Sequence, residues 1–219
     1  MGLKKGDRYD VSDLEEAQFE PGSRGRVLKN LLGIKSKREM DRVEQREQIR
    51  ALENLLWQYG PDQRFTADDV CWIHKAWLEP IYSWAGKYRK VNLSKGNFPF
   101  AVAQQVPRLM SDFEKGPLRD FTPETQGAHD EFAYALAVVH IELILIHPFR
   151  DGNGRTARIL ANLMASQVGF PLLDFSGITG RKRERYFAAI REGLDKNYEP
   201  MTGVFIDVID QTIETSGGF

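Results

Sequence analysis

Apolar positions recur at helical spacing along most of this chain, and the breaks between the runs fall at glycine and proline. From Ser36 the stretch SKREMDRVEQREQIRALENLLWQYG carries Met40, Val43, Ile49, Leu52, Leu55 and Leu56 on a helical rhythm, with Ser36 as N-cap and Gly60-Pro61 as the stop. Its many charges read as a solvated face. A second helix opens after Thr66 in ADDVCWIHKAWLEPIY, where Asp68 and Asp69 favour the first turn through the helix dipole and Pro80 ends or bends it. The rhythm changes over residues 85–101. There Tyr88, Val91 and Leu93 lead into Lys95-Gly96-Asn97 and out through Phe98 and Phe100, the pattern of a small hairpin. Helical spacing resumes in VAQQVPRLMSDFEKG, and again from Thr122 through EFAYALAVVHIELILI, which stops at His147-Pro148. A residue that precedes proline avoids the helical region, so His147 falls at the very end of that helix. After FRDG, the segment NGRTARILANLMASQVG puts Ile159, Leu160, Leu163, Met164 and Val168 on one face, and Gly169 closes it. Two further helices fit KRERYFAAIREGLDKN and GVFIDVIDQTIET. Residues 1–37 hold Gly, Pro, Ser and mixed charge around one apolar run, and read as an extended arm that packs at Leu28, Leu31, Leu32 and Ile34.

Composition narrows the function classes. Thirty basic against 31 acidic residues leave a formal charge of -1, so no whole-chain field points to nucleic acid or to an anionic membrane, and neither is expected as a partner. Anion binding, if there is any, must be local. With 42% hydrophobic residues in 219 the chain has material for a buried core. The single cysteine, Cys71, has no internal disulfide partner and lies in an apolar helical pattern, which suits a reducing, cytosolic setting, with export only through a dedicated system. No apolar run reaches the length of a membrane span, and Asp7 stands where a lipidation signal starting at Gly2 calls for a small hydroxyl residue.

The chemistry is concentrated in HPFRDGNGRTAR, residues 147–158, where a histidine, a carboxylate, two glycines, an amide and two arginines fall between two expected helices. Gly152 and Gly154 let the backbone turn its amides toward one point, and the next helix adds unpaired donors and the positive end of its dipole. Physically this is a phosphate cradle. Arg155 and Arg158, three apart on one face, present guanidinium forks that match phosphate oxygens. A carboxylate at Asp151 beside such a nest calls for a cation, and magnesium bridging phosphate oxygens to one carboxylate meets the need. His147 is placed to take a proton from an incoming hydroxyl. Phe149 reads as an anchor for the loop. A calcium loop is excluded because Asn162 occupies the position of its bidentate glutamate, and no Gly-Lys-Ser/Thr exists to form a P-loop.

The whole stretch resembles the signature of the Fic family, His-x-Phe-x-Asp/Glu-Gly-Asn-Gly-Arg-x-x-Arg, with every specified position matched. The likeness extends upstream through AGKYR and SKGNFPF and downstream to RERYFAAI, roughly residues 66–210. It implies an all-α fold, a Fic-type helical bundle with a small β-hairpin flap over the active-site loop. The corresponding division is an arm at 1–37, an N-terminal helix packing on the core at 38–65, and a Fic domain with C-terminal helices at 66–219.

By the same resemblance the chain is a protein adenylyltransferase that moves AMP from ATP to a Tyr, Thr or Ser hydroxyl of a target protein. His147 is then the base, Asp151 the magnesium ligand, and Gly152, Asn153, Gly154, Arg155 and Arg158 hold the phosphates. Asn97, Phe98 and Phe100 become the target-binding flap, and Tyr186 and Ile190, one helical turn apart, the adenine pocket or an ordinary core face. Kinase relatives that resemble Doc carry Lys where Gly154 stands, and other relatives transfer UMP or phosphocholine. A nucleotide-binding module without turnover, touching DNA through RGRVLKN or GRKRER, is the non-enzymatic alternative. Many relatives are silenced by a glutamate from a Ser/Thr-x-x-x-Glu-Gly/Asn helix. The nearest match, Ser12 to Ala17 with Glu16, departs from that pattern at Ala17, and the alternatives are inhibition through Glu16, a separate antitoxin-like chain, or no inhibitor. His140, two turns before His147, reads as a core histidine or a support behind the site, and His74 and His129 fall in no recognisable pattern.

Overall fold

The structure, a computed structural model, describes residues 14–123 and 129–217. The segment from Met1 to Asp13, which includes Gly2 and the Ser12 end of the inhibitory pattern, lies outside the described residues.

Local chemistry starts the helices where the sequence places them. Ser36 caps α1 (Lys37–Gln58) by accepting from the Glu39 amide, and Thr66 caps α2 (Ala67–Leu78) in a reciprocal box with Asp69. The hairpin is short: β1 (Ser94–Lys95) pairs antiparallel with β2 (Phe98–Pro99) around a two-residue turn in which Gly96 takes φ 59. Then come α3 (Val106–Phe113), a π-helical turn through Gly116-Pro117, and α4 (Arg119–Phe121). The last four helices are α5 (His129–Ile146), α6 (Asn153–Gln167), α7 (Gly180–Glu192) and α8 (Glu199–Thr215). The chain is therefore all-α with one small hairpin.

Helix α5 is the axis of the bundle. It is apolar around most of its circumference, with Phe132, Leu136, Val139, Ile141, Leu143 and Ile144 all buried, and such a helix is stable only when largely covered. It packs against α8, α6, α3 and α7, while α1 and α2 pair with each other and lean on α6. This arrangement delivers the end of α5 and the start of α6 to one place, because only six residues join them.

Three expectations are corrected. Ile49 of α1 is 55% exposed, and Ala51 takes the core position with Met40 and Leu55. In the arm, Val27, Leu28 and Ile34 meet the core whereas Leu31 and Leu32 are exposed. The reason is local: Asn30 Oδ1 accepts from the Leu32 and Ile34 amides and so turns the chain outward at those two leucines. Most important, the charges of α1 are not all solvated. Glu44 is 2% exposed; its carboxylate accepts from Tyr82 Oη at 2.7 Å and from Arg155 at 2.6 Å, while Trp77 Nε1 donates to its main-chain oxygen at 2.8 Å. Removing one member of so buried a pair strands the others. Glu44→Ala should lower the unfolding free energy by about 3 kcal/mol in urea titration. Thr66→Ala, which loses only a cap, should cost about 1 kcal/mol.

Candidate active site

His147 directly follows α5 and stands at φ 53, a left-handed conformation uncommon for a residue with a side chain and here imposed between a helix end and Pro148. Three hydrogen bonds hold it there. Its amide donates to Leu143 O at 3.0 Å, its ring Nδ1 contacts Ile144 O at 3.1 Å, and Arg89 Nε donates to its carbonyl at 2.6 Å. A carbonyl only accepts, so Nδ1 carries the proton and Nε2 is left as the basic nitrogen. Burial, the largest influence, pulls the imidazole down to about 4; the Ile144 carbonyl and Asp151 pull it up, and Arg89 and Lys95 push it further down. The ring is neutral at physiological pH.

Six residues on, α6 begins without a side-chain cap. Its N-cap is Gly152 at φ 82, where a Cβ would lie 2.8 Å from the Trp77 ring, so no other residue fits. The Gly152 amide donates to Asp151 Oδ1 at 2.6 Å. The first amides of α6 therefore have no cap of their own, and they open on a cleft of about 1040 Å³ that His147, Asp151, Gly152, Asn153 and Gly154 all line. Gly154 is a different case from Gly152: a Cβ there would meet nothing nearer than Ile144 at 4.0 Å. The fold does not need that glycine, and its open space faces the cleft.

The Asn153 side chain is not free for a phosphate. Its Oδ1 accepts from the Phe149 amide and its Nδ2 donates to the Phe149 carbonyl, both at 2.8 Å, which closes the loop on itself. Only its main-chain amide is left to offer. Phe149 is fully buried and stacks on His74 at 3.8 Å, an anchor in the expected sense. Asp151 keeps its side chain half exposed, with one oxygen taken by the Gly152 amide.

The two motif arginines line the same cleft in different ways. Arg155 is neutralised by Glu44 and lies 4.5 Å from the Trp77 ring centre. Arg158 has no ion pair with a carboxylate among the described residues; it lies 5.1 Å from the Phe175 ring and 5.9 Å from that of Tyr186. Its charge reaches the cleft without a paired carboxylate among the described residues. Tyr186 is buried, with Oη 2.7 Å from His140 Nε2, and Ile190 is buried one turn further on; both reach the cleft wall. On the opposite wall Phe98 and Phe100 reach in from the hairpin, whereas Asn97, in its turn, does not. Phe100 stacks on the His147 ring with centroids 3.5 Å apart and planes within 11°.

The Fic/DOC family matches residues 64–165, which contain the whole loop. The Fic domain of a cell filamentation protein from Bartonella quintana, solved with ADP bound, is 30% identical and superposes with a TM-score of 0.69 over 89% of this chain and 94% of its own. The chain belongs to the Fic family. BepC from Bartonella tribocorum, solved with AMPPNP, is similar at 26% identity and a TM-score of 0.70 over 90% of this chain and 97% of its own. Protein adenylyltransferase VbhT of Bartonella schoenbuchensis is 34% identical over 66% of this chain, which spans only 30% of that protein's length. The probable protein adenylyltransferase Fic of Salmonella typhimurium is 27% identical over 86% of this chain and 90% of its own.

Residues outside the motif give this Fic loop its shape. His74 is fully buried, accepts from the Gly86 amide at Nδ1 and reaches Asp151 O from Nε2 at 3.0 Å. Arg89 is 2% exposed and makes no ion pair among the described residues; it donates to the carbonyls of Ile146, His147, Val91 and Ala101. Its charge thus meets the negative end of the α5 dipole. Its presence in AGKYR was the one available sign, while His74 and Glu44 carried no pattern that sequence spacing reveals. Glu16, in a turn of 3-10 helix rather than an extended arm, spends its carboxylate on the Lys90 amide and its carbonyl on Arg150.

Three histidines are held neutral by burial, His74 and His147 down to about 4 and His140 to about 3. Their folded values lie below the unfolded 6.5, so between the two the unfolded chain binds more protons. Stability should be full above pH 6.5 and fall as pH drops toward 3, by on the order of several kcal/mol. Urea unfolding at pH 7, 6, 5 and 4 checks this: the midpoint should decline steadily, and a flat profile would contradict the buried neutral rings.

Proposed function

We propose that the protein transfers AMP from ATP to a Tyr, Thr or Ser hydroxyl of a target protein, with His147 as general base. The observation that carries this reading is the pairing, across one short loop, of an imidazole whose unprotonated nitrogen is fixed with an uncapped helix start. The first needs a proton to accept; the second needs an anion. A triphosphate and a hydroxyl nucleophile supply both. The acceptor proton passes to Nε2, the hydroxyl oxygen bonds to the α-phosphorus, and the bond to pyrophosphate breaks. The amides at the start of α6 hold α- and β-phosphate oxygens, and Arg158 takes the charge at the far end. Arg155, already paired with Glu44, braces the loop and adds a weaker field. Relatives solved with adenine nucleotides support ATP as the donor.

Magnesium fits only together with the nucleotide. Among the described residues no three metal-binding side chains cluster, and Asp151 offers one free carboxylate oxygen at the cleft. A cation that takes one protein carboxylate and completes its shell with phosphates and water is the hard, oxygen-loving kind. Such an ion would neutralise phosphate charge, and Asp151 would be its protein ligand. Tyr186 and Ile190 line the cleft from α7 and are assigned to the adenine side, and the hairpin with Phe98 and Phe100 to the acceptor side. Asn97, outside the cleft, is left for main-chain contacts with the acceptor segment.

Arg158 has no carboxylate partner among the described residues, and Glu16 is engaged elsewhere. An inhibitor would have to bring its own carboxylate, as a small antitoxin-like chain would. Helices of the described residues are too short or too polar to cross a membrane.

Incubation with ATP labelled at the α-phosphorus should label the protein itself or a target on a hydroxyl, and label at the γ-phosphorus should not transfer. The reverse would mean a Doc-like kinase. His147→Ala should lower transfer by about 10²–10⁴-fold. Tight ATP binding with no covalent product from the wild type would instead favour a silent binding module.

A further inference from the structure

The His147 imidazole needs two things to act in one direction: a fixed tautomer and a fixed ring plane. The Ile144 carbonyl supplies the first and leaves the second open, since a single hydrogen bond at Nδ1 is a hinge about which the ring can tilt. What closes the hinge is Phe100. Its ring lies against the imidazole at 3.5 Å and 11°, close to parallel contact over the face.

Phe100 is itself anchored on both sides. Its amide donates to Leu93 O at 3.1 Å, the next amide, of Ala101, donates to Leu145 O at 3.4 Å, and Arg89 Nη2 donates to Ala101 O at 2.5 Å. Arg89 also donates to the carbonyl of His147. One buried guanidinium therefore ties the residue beside Phe100 to the backbone of the histidine it covers. Phe98 meets the outer side of the Phe100 ring edge-on at 5.6 Å and 74°. The ring has little room to leave.

We propose that Phe100 is a positioning residue for the general base, fixing the plane of the His147 ring so that Nε2 is presented to the cleft and one face is closed to water. The inference rests on the reading of His147 as base and deepens it, because a flap side chain then serves the base rather than the target. The groups facing the imidazole are the Ile144 carbonyl from its own helix, Arg89 and Asp151 from the two flanking loops, Lys95 from β1 and the Phe100 ring. Of these, only Phe100 lays an aromatic face on the ring.

The test compares Phe100→Ala, Phe100→Leu and Phe100→Tyr in the full chain by two readouts. The first is nitrogen-detected NMR of the histidine rings, with the His147 signals assigned by their loss in His147→Ala. In the alanine and leucine variants the ring is free to tilt off the Ile144 carbonyl, so the Nδ1-protonated tautomer should lose population and the titration midpoint should move up toward 6.5; the tyrosine variant should match the wild type. The second is transfer of α-labelled phosphate from ATP. Its kcat should fall about tenfold in the alanine and leucine variants with KM for ATP within about twofold, and tyrosine should restore it. Unchanged tautomer and midpoint in Phe100→Ala would overturn the proposal whatever the rates do. The NMR readout stands even if wild-type protein transfers nothing, so failure of the adenylyltransferase reading and failure of this one are told apart.

Discussion

The structure depends on how one helix ends. α5 is buried around most of its circumference, with Ile144 and Ile146 in the core at its end, and its last carbonyls find donors inside the protein. Arg89 supplies them from a distance in sequence, meeting the carbonyls of Ile146 and His147 with a buried positive charge that no ion pair claims among the described residues. That satisfies the helix end and sets the carbonyl of His147 at the same time. The left-handed backbone of His147, a strain of about 1–2 kcal/mol for a residue with a Cβ, is held by this bond, by its own amide and by its own ring.

The loop that follows joins opposite poles. Behind His147 lies the carbonyl end of α5, which suits a proton donor such as Nδ1–H; ahead of it lies the amide end of α6, which suits an anion. Placing the two six residues apart lets one short stretch hold both halves of a group transfer. The loop cannot be floppy and do this. Asn153 clips it to Phe149, His74 clamps Asp151 O and stacks on Phe149, and the Trp77 ring leaves room only for glycine at 152. These constraints also explain why the side chain of Asn153, which looks like a ligand in the motif, is spent on the loop itself.

What the sequence disclosed and what it withheld divide along chain distance. The caps at Ser36 and Thr66, the hairpin at 94–99, the helix end at His147 and the dense loop at 147–158 are short-range patterns, and each left its mark in neighbouring residues. Glu44, Arg89 and His74 act on residues 111, 57 or 58, and 77 positions away. Apart from the AGKYR match that contains Arg89, nothing near them in sequence distinguishes them from solvated charges or a core histidine. Glu44 is the sharpest case, because its helix is otherwise so polar that a buried glutamate reads as one more surface charge. Leu31 and Leu32 fail in the opposite sense: apolar residues in a turn whose geometry Asn30 decides.

The same long-range contacts separate two arginines that the motif presents as equals. Arg155 brings its charge to the cleft already matched by Glu44, so its net field there is small and its main effect is to hold α1, α2 and α6 together. Arg158 is flanked by the Phe175 and Tyr186 rings with no carboxylate paired to it among the described residues, and Tyr186 is held in turn by His140. A ring neighbour steadies a guanidinium without cancelling its charge. Of the two motif arginines, the second therefore presents the less cancelled charge to the cleft.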